Sequence, residues 1–295
     1  MDATVQIPDG ESPIRWVSPA WLGDHRLDEL LILDCQPNIH EYINGHIPGA
    51  VYLNENIFRV HEGTCPGRWI NRDAAKWLLR QVGVKADVPV VVYTGSGTLS
   101  GCTSYIGDGL EQTMVAYSLV RFGHGDVRIL DGGLDAWRQE GRSVTNAYGT
   151  ATESEYEPRV RTSLFVDYDE FLRLKDRDDV VVLDARPAAT YQGQGPWPKP
   201  GHIPGAVNLP WKSLMTEGNT RRLRHVDEIR AAAEAVGATP DKTIVCTCGT
   251  GREATNEFLA FRYLLGYPKV RLYEGSFTEW LNYPANATVT GPNPR

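Results

Sequence analysis

The chain has 295 residues, of which 41% are hydrophobic and 23% are charged, and its formal net charge is −7. This length predicts two domains of ordinary size, and this composition excludes a disordered chain. Because phosphate binding requires an excess of Lys and Arg, the net negative charge argues against nucleic acid as a partner.

The five cysteines stand at irregular spacings, which fit neither a disulfide framework nor a zinc site. The opening segment MDATVQIPDGESP lacks the apolar stretch of a secretory signal. No run approaches the roughly 18 apolar residues that are needed to span a bilayer. We therefore expect a cytoplasmic protein with no membrane partner, no metal site and no cofactor.

Three blocks of sequence occur twice in the same order. Segments 31–53, 89–97 and 121–137 are matched by segments 181–209, 243–251 and 263–280, and both copies contain the run GHIPGAV. A period near ~150 residues is too long for a solenoid repeat and indicates a duplicated domain. We expect a first domain over 14–145, a polar linker over 146–162, a second domain over 163–284 and a tail over 285–295.

Short apolar runs alternate with helical patterns within each copy. In the second copy VVVLDA (180–185), AVNLP (206–210), TIVCT (243–247) and VRLYE (270–274) are typical of buried parallel strands. Helices are predicted over 226–237 and 253–266, the second ending at Gly266 with Pro268 just beyond. This alternation predicts an α/β fold in which two doubly wound domains each have a mainly parallel sheet flanked by helices.

The stretch CGTGRE (248–253) lies between a predicted strand and a predicted helix, at the edge where open α/β sheets bind ligands. Its two glycines allow several backbone N–H groups to point inward and form a cradle for an anion. A cysteine at such a cradle is expected to have a lowered pKa and to act as a nucleophile. The alignment of the two copies places Cys248 at the start of the loop, opposite Thr94, and Cys246 inside the strand.

The chain resembles the rhodanese superfamily, specifically the tandem-domain sulfurtransferases. The resemblance rests on LDAR (183–186), GHIPGAVNLPW (201–211), CGTGRE (248–253) and EGSFTEW (274–280), with GHIPGA (45–50) and DGGLDAW (131–137) in the first copy. It implies two rhodanese-like domains, the first of them catalytically silent because Thr94 stands at the cysteine position. It also implies that Cys248 carries a persulfide and passes its sulfur to a thiol, a protein thiol or cyanide.

The resemblance places a substrate-binding arginine at Arg186, at the end of the LDAR strand. A structural salt bridge is the alternative role for this residue. Arg252 could bind an oxyanion from within the loop, or point outward into solvent. Glu253 fits a first-turn helix acid better than a catalyst. The substrate-binding residues expected from the loop are Gly249, Thr250, Gly251, Arg252 and Glu253.

The donor is predicted to be thiosulfate, with 3-mercaptopyruvate as the alternative. The first four loop residues resemble the mercaptopyruvate type, but a pyruvate enolate leaving group benefits from a nearby proton donor, which sulfite does not need. His61 is the candidate for such a donor, with an exposed loop histidine as its other interpretation. Cys102, in a Gly- and Ser-rich extension of the first copy, is a candidate sulfur acceptor, a candidate disulfide partner of Cys248, or an incidental thiol.

Two other functions remain open from the sequence. Counted from Cys246, CTCGTGR fits the C-x5-R loop of cysteine-dependent phosphatases, although Val245 replaces the usual preceding histidine. A non-catalytic sulfur carrier or scaffold is the second alternative. Phosphatase activity lost in Cys246→Ser would favour the first, and persulfide formation without multiple turnover would favour the second.

Overall fold

The computed structural model describes residues 12–25, 29–97 and 107–295. These residues form two compact units. Unit 1 comprises the described residues of 1–58, 70–161 and 216–223, and unit 2 comprises residues 59–69, 162–215 and 224–295. Within the described ranges, no helix is both long enough and apolar enough to cross a lipid bilayer.

In chain order the strands are β1 (Ile14–Val17), β2 (Leu31–Asp34), β3 (Val51–Tyr52), β4 (Arg59–Glu62), β5 (Cys65–Trp69), β6 (Val90–Tyr93), β7 (Val127–Leu130), β8 (Phe165–Val166), β9 (Val180–Asp184), β10 (Val207–Asn208), β11 (Met215–Thr216), β12 (Asn219–Leu223), β13 (Thr243–Thr247) and β14 (Val270–Tyr273). The helices are α1 (Pro19–Asp24), α2 (Ile39–Asn44), α3 (Arg72–Gln81), α4 (Leu110–Arg121), α5 (Gly133–Gln139), α6 (Tyr168–Leu174), α7 (Ala188–Tyr191), α8 (Val226–Ala235), α9 (Glu253–Leu259) and α10 (Ser276–Trp280).

Each unit is built on one five-stranded parallel sheet. The strand order is β1-β7-β6-β2-β3 in unit 1 and β8-β14-β13-β9-β10 in unit 2, so the two sheets share one topology. The central strands are buried on both faces, as their continuous apolar sequences predict. The predicted α/β fold, with mainly parallel sheets flanked by helices in both copies, is confirmed.

Two short hairpins complete the units. β4 and β5 pair as an antiparallel hairpin whose residues 59–69 belong to unit 2. β11 pairs with β12, and residues 216–223 belong to unit 1. Each unit therefore contains a hairpin from the other sequence copy. The sequence did not predict either hairpin, because neither segment has the length or the alternation of a strong strand signal.

The predicted helix over 253–266 is found with one difference. After α9, residues Ala260–Leu264 continue as a turn of π-helix, in which the Leu265 N–H donates to the Ala260 carbonyl at 2.9 Å. Gly266 then adopts a φ of 71°, and the helical segment ends there. The helix packs on β13 and β14 and so directs its first residue toward the loop that follows β13.

Candidate active site

The loop of Cys248 lies where the sequence predicts it. β13 ends at Thr247, Cys248 is the first residue after the strand, and α9 begins at Glu253. Cys246 lies inside β13, in register with Leu183 on one side and Leu272 on the other, and is fully buried. The expectation that Cys246 packs into the sheet and Cys248 opens the loop is confirmed.

Backbone amides of the loop converge on the Cys248 sulfur. The Gly251 N–H donates to Sγ at 3.1 Å, and the amides of Thr250 and Ala254 act to lower the pKa of the thiol. Gly251 adopts a φ of 85°, and an added Cβ would lie 2.7 Å from the Glu274 carbonyl oxygen, so the loop requires glycine here. The result is a cradle of N–H donors that suits an anionic sulfur.

Residues at the start of α10 hold the Cys248 loop in place through hydrogen bonds. The Cys248 N–H donates to Ser276 Oγ at 3.1 Å, and that oxygen lies 4.0 Å from Cys248 Sγ. The Phe277 and Thr278 amides donate to the carbonyls of Cys248 and Gly249, both at 3.0 Å. Ser276 has a φ of 50°, which is unusual for a residue with a side chain. This backbone conformation places its hydroxyl beside the cysteine.

The electrostatic environment of the thiol differs from the expectation. Burial raises the pKa of Cys248 well above its usual range, and the nearby Glu253 carboxylate, which is hydrogen-bonded to the thiol, raises it further. The amides of Ala254 and Thr250 act in the opposite direction but are the weaker influence. The predicted low pKa is therefore wrong for the free protein, because the sequence did not show that the sulfur is desolvated beside a carboxylate.

Arg186 is fully buried and forms a bidentate ion pair with Asp184. Its Nε donates to Oδ1 at 2.9 Å and its Nη2 donates to Oδ2 at 2.5 Å. Nη2 also donates to the Gly201 carbonyl at 3.0 Å, while Nη1 is buried without a hydrogen-bond partner. The guanidinium is therefore part of the folded framework and still has one donor group to offer an anion.

Aromatic side chains pack against the glycines of the loop. An added Cβ on Gly249 would lie 2.5 Å from the Trp197 ring, whose Nε1 donates to Thr278 Oγ1 at 2.9 Å. An added Cβ on Gly251 would lie 3.1 Å from the ring of Trp69 in β5. Both loop glycines are therefore needed for close approach as well as for conformation.

The hairpin β4–β5 also contributes a cation to the loop. Arg59 Nη1 donates to the Thr250 carbonyl at 2.6 Å, and the Arg59 guanidinium lies 5.9 Å from the centroid of the Trp69 ring. Sequence reasoning missed both residues, since nothing in the chain order links positions 59 and 69 to position 250. Sequence reasoning also missed Ser276. The signal that could have found it is that the two copies differ at this position, where the first copy has Gly133.

The remaining residues that the sequence predicted for the site lie in several different environments. Thr250, Arg252 and Glu253 are half-buried, and the Arg252 carbonyl accepts hydrogen bonds from Thr255 at the start of α9. His61 is exposed on β4, and its Nε2 lies 2.9 Å from the Gly63 carbonyl oxygen. Cys102 lies outside the described residues. Among the expected loop residues, Glu253 is the one whose side chain raises the pKa of the thiol.

The matching loop of unit 1 has different chemistry. Thr94 follows β6, its N–H donates to Gln112 Oε1 at 3.2 Å, and its hydroxyl donates to the Cys35 carbonyl at 3.3 Å. Gln36 replaces Arg186 and donates from Nε2 to Asp34 at 2.9 Å. This loop therefore has neither a thiol at the cysteine position nor a guanidinium at the arginine position.

Comparisons with known proteins agree with this architecture. Residues 18–140 and 167–283 each match the family model of the rhodanese-like domain. A putative thiosulfate sulfurtransferase of Synechococcus elongatus is 34% identical and covers 96% of this chain and 87% of its own. A 3-mercaptopyruvate sulfurtransferase of Escherichia coli is 30% identical and covers 90% of this chain and 94% of its own.

A solved structure supports the same fold. The anaerobic ergothioneine biosynthesis enzyme from Chlorobium limicola aligns with a TM-score of 0.81 at 24% sequence identity. The alignment covers 94% of this chain and 70% of that one. At this identity the likeness establishes the architecture and nothing about the substrate.

Proposed function

This chain belongs to the rhodanese-like sulfurtransferase family, and we propose that it transfers a sulfane sulfur through a persulfide on Cys248. The observation that carries the proposal is the set of loop amides around Cys248 Sγ, with the Gly251 N–H at 3.1 Å. Cys248 is the catalytic residue. The first domain is proposed to be catalytically silent, because the Thr94 hydroxyl cannot form a persulfide.

The proposed reaction has two steps. The Cys248 thiolate attacks the outer sulfur of a small anionic donor, an S–S bond forms, and the leaving group departs with the electron pair of the broken bond. A thiol or cyanide then attacks the outer sulfur of the persulfide and returns Cys248 to its starting state. The cradle amides stabilise the negative charge on the sulfur in both steps.

Two features of the site support thiosulfate, the donor predicted from the sequence. Arg186 Nη1 is a buried N–H donor without a partner, and a compact sulfonate could accept from it. The loop amides offer further donors, and sulfite leaves without needing a proton. Arg186 and the amides of residues 249–253 are the proposed substrate-binding groups.

A different observation supports 3-mercaptopyruvate as the second candidate donor. Glu253 lies near enough to the Cys248 thiol to raise its pKa, so a carboxyl group is present where the sequence argument found no proton donor. His61 is not needed for that role, since it is exposed and its ring contacts Gly63. The sequence argument for thiosulfate, that no proton donor lies at the site, is therefore weakened.

The test is the intact mass of the protein after incubation with thiosulfate, and separately with 3-mercaptopyruvate. We expect the wild-type chain to gain one sulfur atom, Cys248→Ser to gain none, and Cys246→Ser to gain it almost as the wild type does. Cys246→Ser is the matched control because it changes a neighbouring buried thiol. Loss of sulfur transfer in Cys246→Ser with retention in Cys248→Ser would overturn the assignment.

Steady-state turnover with cyanide separates the remaining alternatives. Repeated turnover supports an enzyme, whereas a single sulfur gained without turnover supports a carrier. Hydrolysis of a chromogenic phosphate ester that depends on Cys246 would favour the phosphatase alternative. The burial of Cys246 within β13 argues against that last outcome.

A further inference from the structure

The Trp197 ring lies over the arginine that is proposed to hold the sulfur donor. The Arg186 guanidinium is fully buried, and its carbon lies 5.2 Å from the centroid of the Trp197 ring. The same ring lies against the Cys248 loop, since an added Cβ on Gly249 would be 2.5 Å from the ring carbon Cζ2. Trp197 therefore contacts both the donor-binding arginine and the loop of the nucleophile.

A chain of hydrogen bonds holds the ring in this position. Trp197 Nε1 donates to Thr278 Oγ1 at 2.9 Å, and that hydroxyl donates to the Gly249 carbonyl at 2.8 Å. Phe277 packs edge-on against the ring, with 5.6 Å between the two centroids. The orientation of Trp197 is thus fixed by α10 and by the loop that carries Cys248.

Arg186 keeps one N–H group for a donor, and aromatic rings lie beside it. Its Nε and Nη2 donate to Asp184, and Nη2 also donates to the Gly201 carbonyl. Nη1 is buried and has no hydrogen-bond partner among the described residues. The Phe277 ring centroid lies 4.3 Å from the guanidinium carbon. An oxyanion that accepts from Nη1 must therefore fit beside the rings of Phe277 and Trp197.

Of these two rings, Trp197 is the one that reaches solvent. Phe277 is 1% exposed and belongs to the apolar core of unit 2, whereas Trp197 is half-buried and packs on the edge of that core. Trp197 lies between Pro196 and Pro198 in a segment, 192–200, that forms neither helix nor strand. A substituent that extends from a bound oxyanion toward solvent therefore meets the Trp197 ring.

We propose that Trp197 is a specificity-determining residue that restricts the donor to a compact anion, without a bulky substituent on the group that Arg186 binds. This inference rests on the proposed function, because it requires Cys248 to take sulfur from a donor held by Arg186. It concerns the size of the donor, and it applies to either of the two candidate donors, since both are compact.

Thiosulfonates vary the size of the donor at constant charge and constant chemistry. Each carries one negative charge, an outer sulfur, and sulfonyl oxygens that can accept from Arg186 Nη1. The Cys248 thiolate forms an S–S bond with the outer sulfur, the bond between the two donor sulfurs breaks, and its electron pair leaves with a sulfinate. Cyanide then takes the outer sulfur of the persulfide as thiocyanate and returns the Cys248 thiolate, so neither step needs a proton.

The experiment measures kcat/KM for methanethiosulfonate and for benzenethiosulfonate, with cyanide as the acceptor and thiocyanate as the product. We expect the wild type to prefer methanethiosulfonate. Trp197→Ala should shift the ratio of the two kcat/KM values toward benzenethiosulfonate by at least about 10-fold, because the phenyl group gains the space of the indole ring. Trp197→Phe keeps a ring beside Arg186 but loses the N–H that donates to Thr278, and should shift the ratio in the same direction by less.

Trp77→Ala is the matched control. Trp77 is 64% exposed on α3 of unit 1, so its removal should leave the ratio unchanged. A merely disrupted loop would lower both kcat/KM values together, and an unchanged ratio in Trp197→Ala would overturn the inference. If Trp197→Ala does not fold, Trp197→Phe decides the question: a shift toward benzenethiosulfonate supports the inference, and an unchanged ratio overturns it.

The outcomes also separate this inference from the proposed function. If neither thiosulfate nor 3-mercaptopyruvate adds sulfur to Cys248 of the wild-type chain, the proposed function fails and the inference fails with it. If the wild-type chain gains sulfur but the Trp197 variants leave the thiosulfonate ratio unchanged, sulfur transfer stands and only the role of Trp197 is refuted. Failure of the wild type and of every variant to use either thiosulfonate would refute that role in the same way.

Discussion

Arg186→Ala is expected to have two separable effects, one on stability and one on donor binding. The substitution removes the three side-chain hydrogen bonds to Asp184 and the one to Gly201. It leaves the Asp184 carboxylate, which is 1% exposed, without its cation. It also removes a guanidinium that lies 4.3 Å from the centroid of the Phe277 ring.

The magnitudes follow from this burial. Removing one member of a buried ion pair costs about 3–5 kcal/mol, because the remaining charge is uncompensated. For a chain of this size that corresponds to a melting temperature lower by roughly 6–20 °C. Loss of the Nη1 donor to an anionic substrate is worth about 1.5–3 kcal/mol, or roughly a 10- to 150-fold lower kcat/KM, expressed mainly as a raised KM.

A double variant separates the two effects. Arg186→Met combined with Asp184→Asn removes both charges and retains an acceptor for the Arg186 backbone N–H, which donates to Asp184 Oδ1 at 3.1 Å. We expect the double variant to recover most of the lost melting temperature but none of the lost donor affinity. Scanning calorimetry and steady-state kinetics on the preferred donor provide the two readouts.

Either of two results would refute this reasoning. A loss of less than about 1 kcal/mol in Arg186→Ala would show that the ion pair contributes no more than an exposed one. Full recovery of KM in the double variant would show that Arg186 affects the donor only through the folded framework.

Two further predictions concern the loop and the pH dependence of stability. Gly251→Ala should lower kcat by roughly 10²–10³-fold, because the added methyl group would displace the amide that donates to Cys248. The control is Gly237→Ala, because Gly237 has a φ of 79° and open space around an added Cβ. Equal kcat values for the two variants would contradict the proposed cradle. Burial raises the pKa of Asp131 to about 6, so its contribution to stability is present below about pH 4 and lost as the pH rises to about 6. Asp131→Asn keeps the acceptor for the Leu223 N–H. Its free energy of unfolding at pH 7 should exceed that of the wild type by up to about 3 kcal/mol, whereas the two should be equal at pH 4. Urea unfolding at the two pH values measures this difference.

The sequence predicted the parts of the structure that depend on local pattern and repetition. The apolar runs that became β9, β13 and β14 are continuous because both faces of each strand are covered. The alignment of the two copies assigned Cys248 to the loop and Cys246 to the strand. It could do so because a strand and its loop keep their lengths when a domain is duplicated. His46 and His202 recur in both copies, and in both the ring is buried and lies within hydrogen-bonding distance of backbone carbonyls.

The sequence could not show the features that depend on side-chain direction and distant contacts. The desolvation of Cys248 depends on what covers the loop. The influence of Glu253 on the pKa of the thiol depends on how α9 begins. The pair of Arg186 with Asp184 forms between neighbours in sequence, but only the turn after β9 makes the two side chains meet in a buried position. A sequence motif shows which residue types are present, whereas the pKa of a side chain depends on its burial and on the charges around it.

The exchange of hairpins has a consequence for where this chain can be divided. A fragment that begins at residue 162 would retain Cys248, Arg186 and the whole of the unit 2 sheet. It would lack Arg59, which bonds to the Thr250 carbonyl, and Trp69, which packs on Gly251. The two sequence copies are thus not two interchangeable modules. Each unit includes a short hairpin segment from the other copy, so a recombination event that divides the chain between residues 161 and 162 would leave both units incomplete.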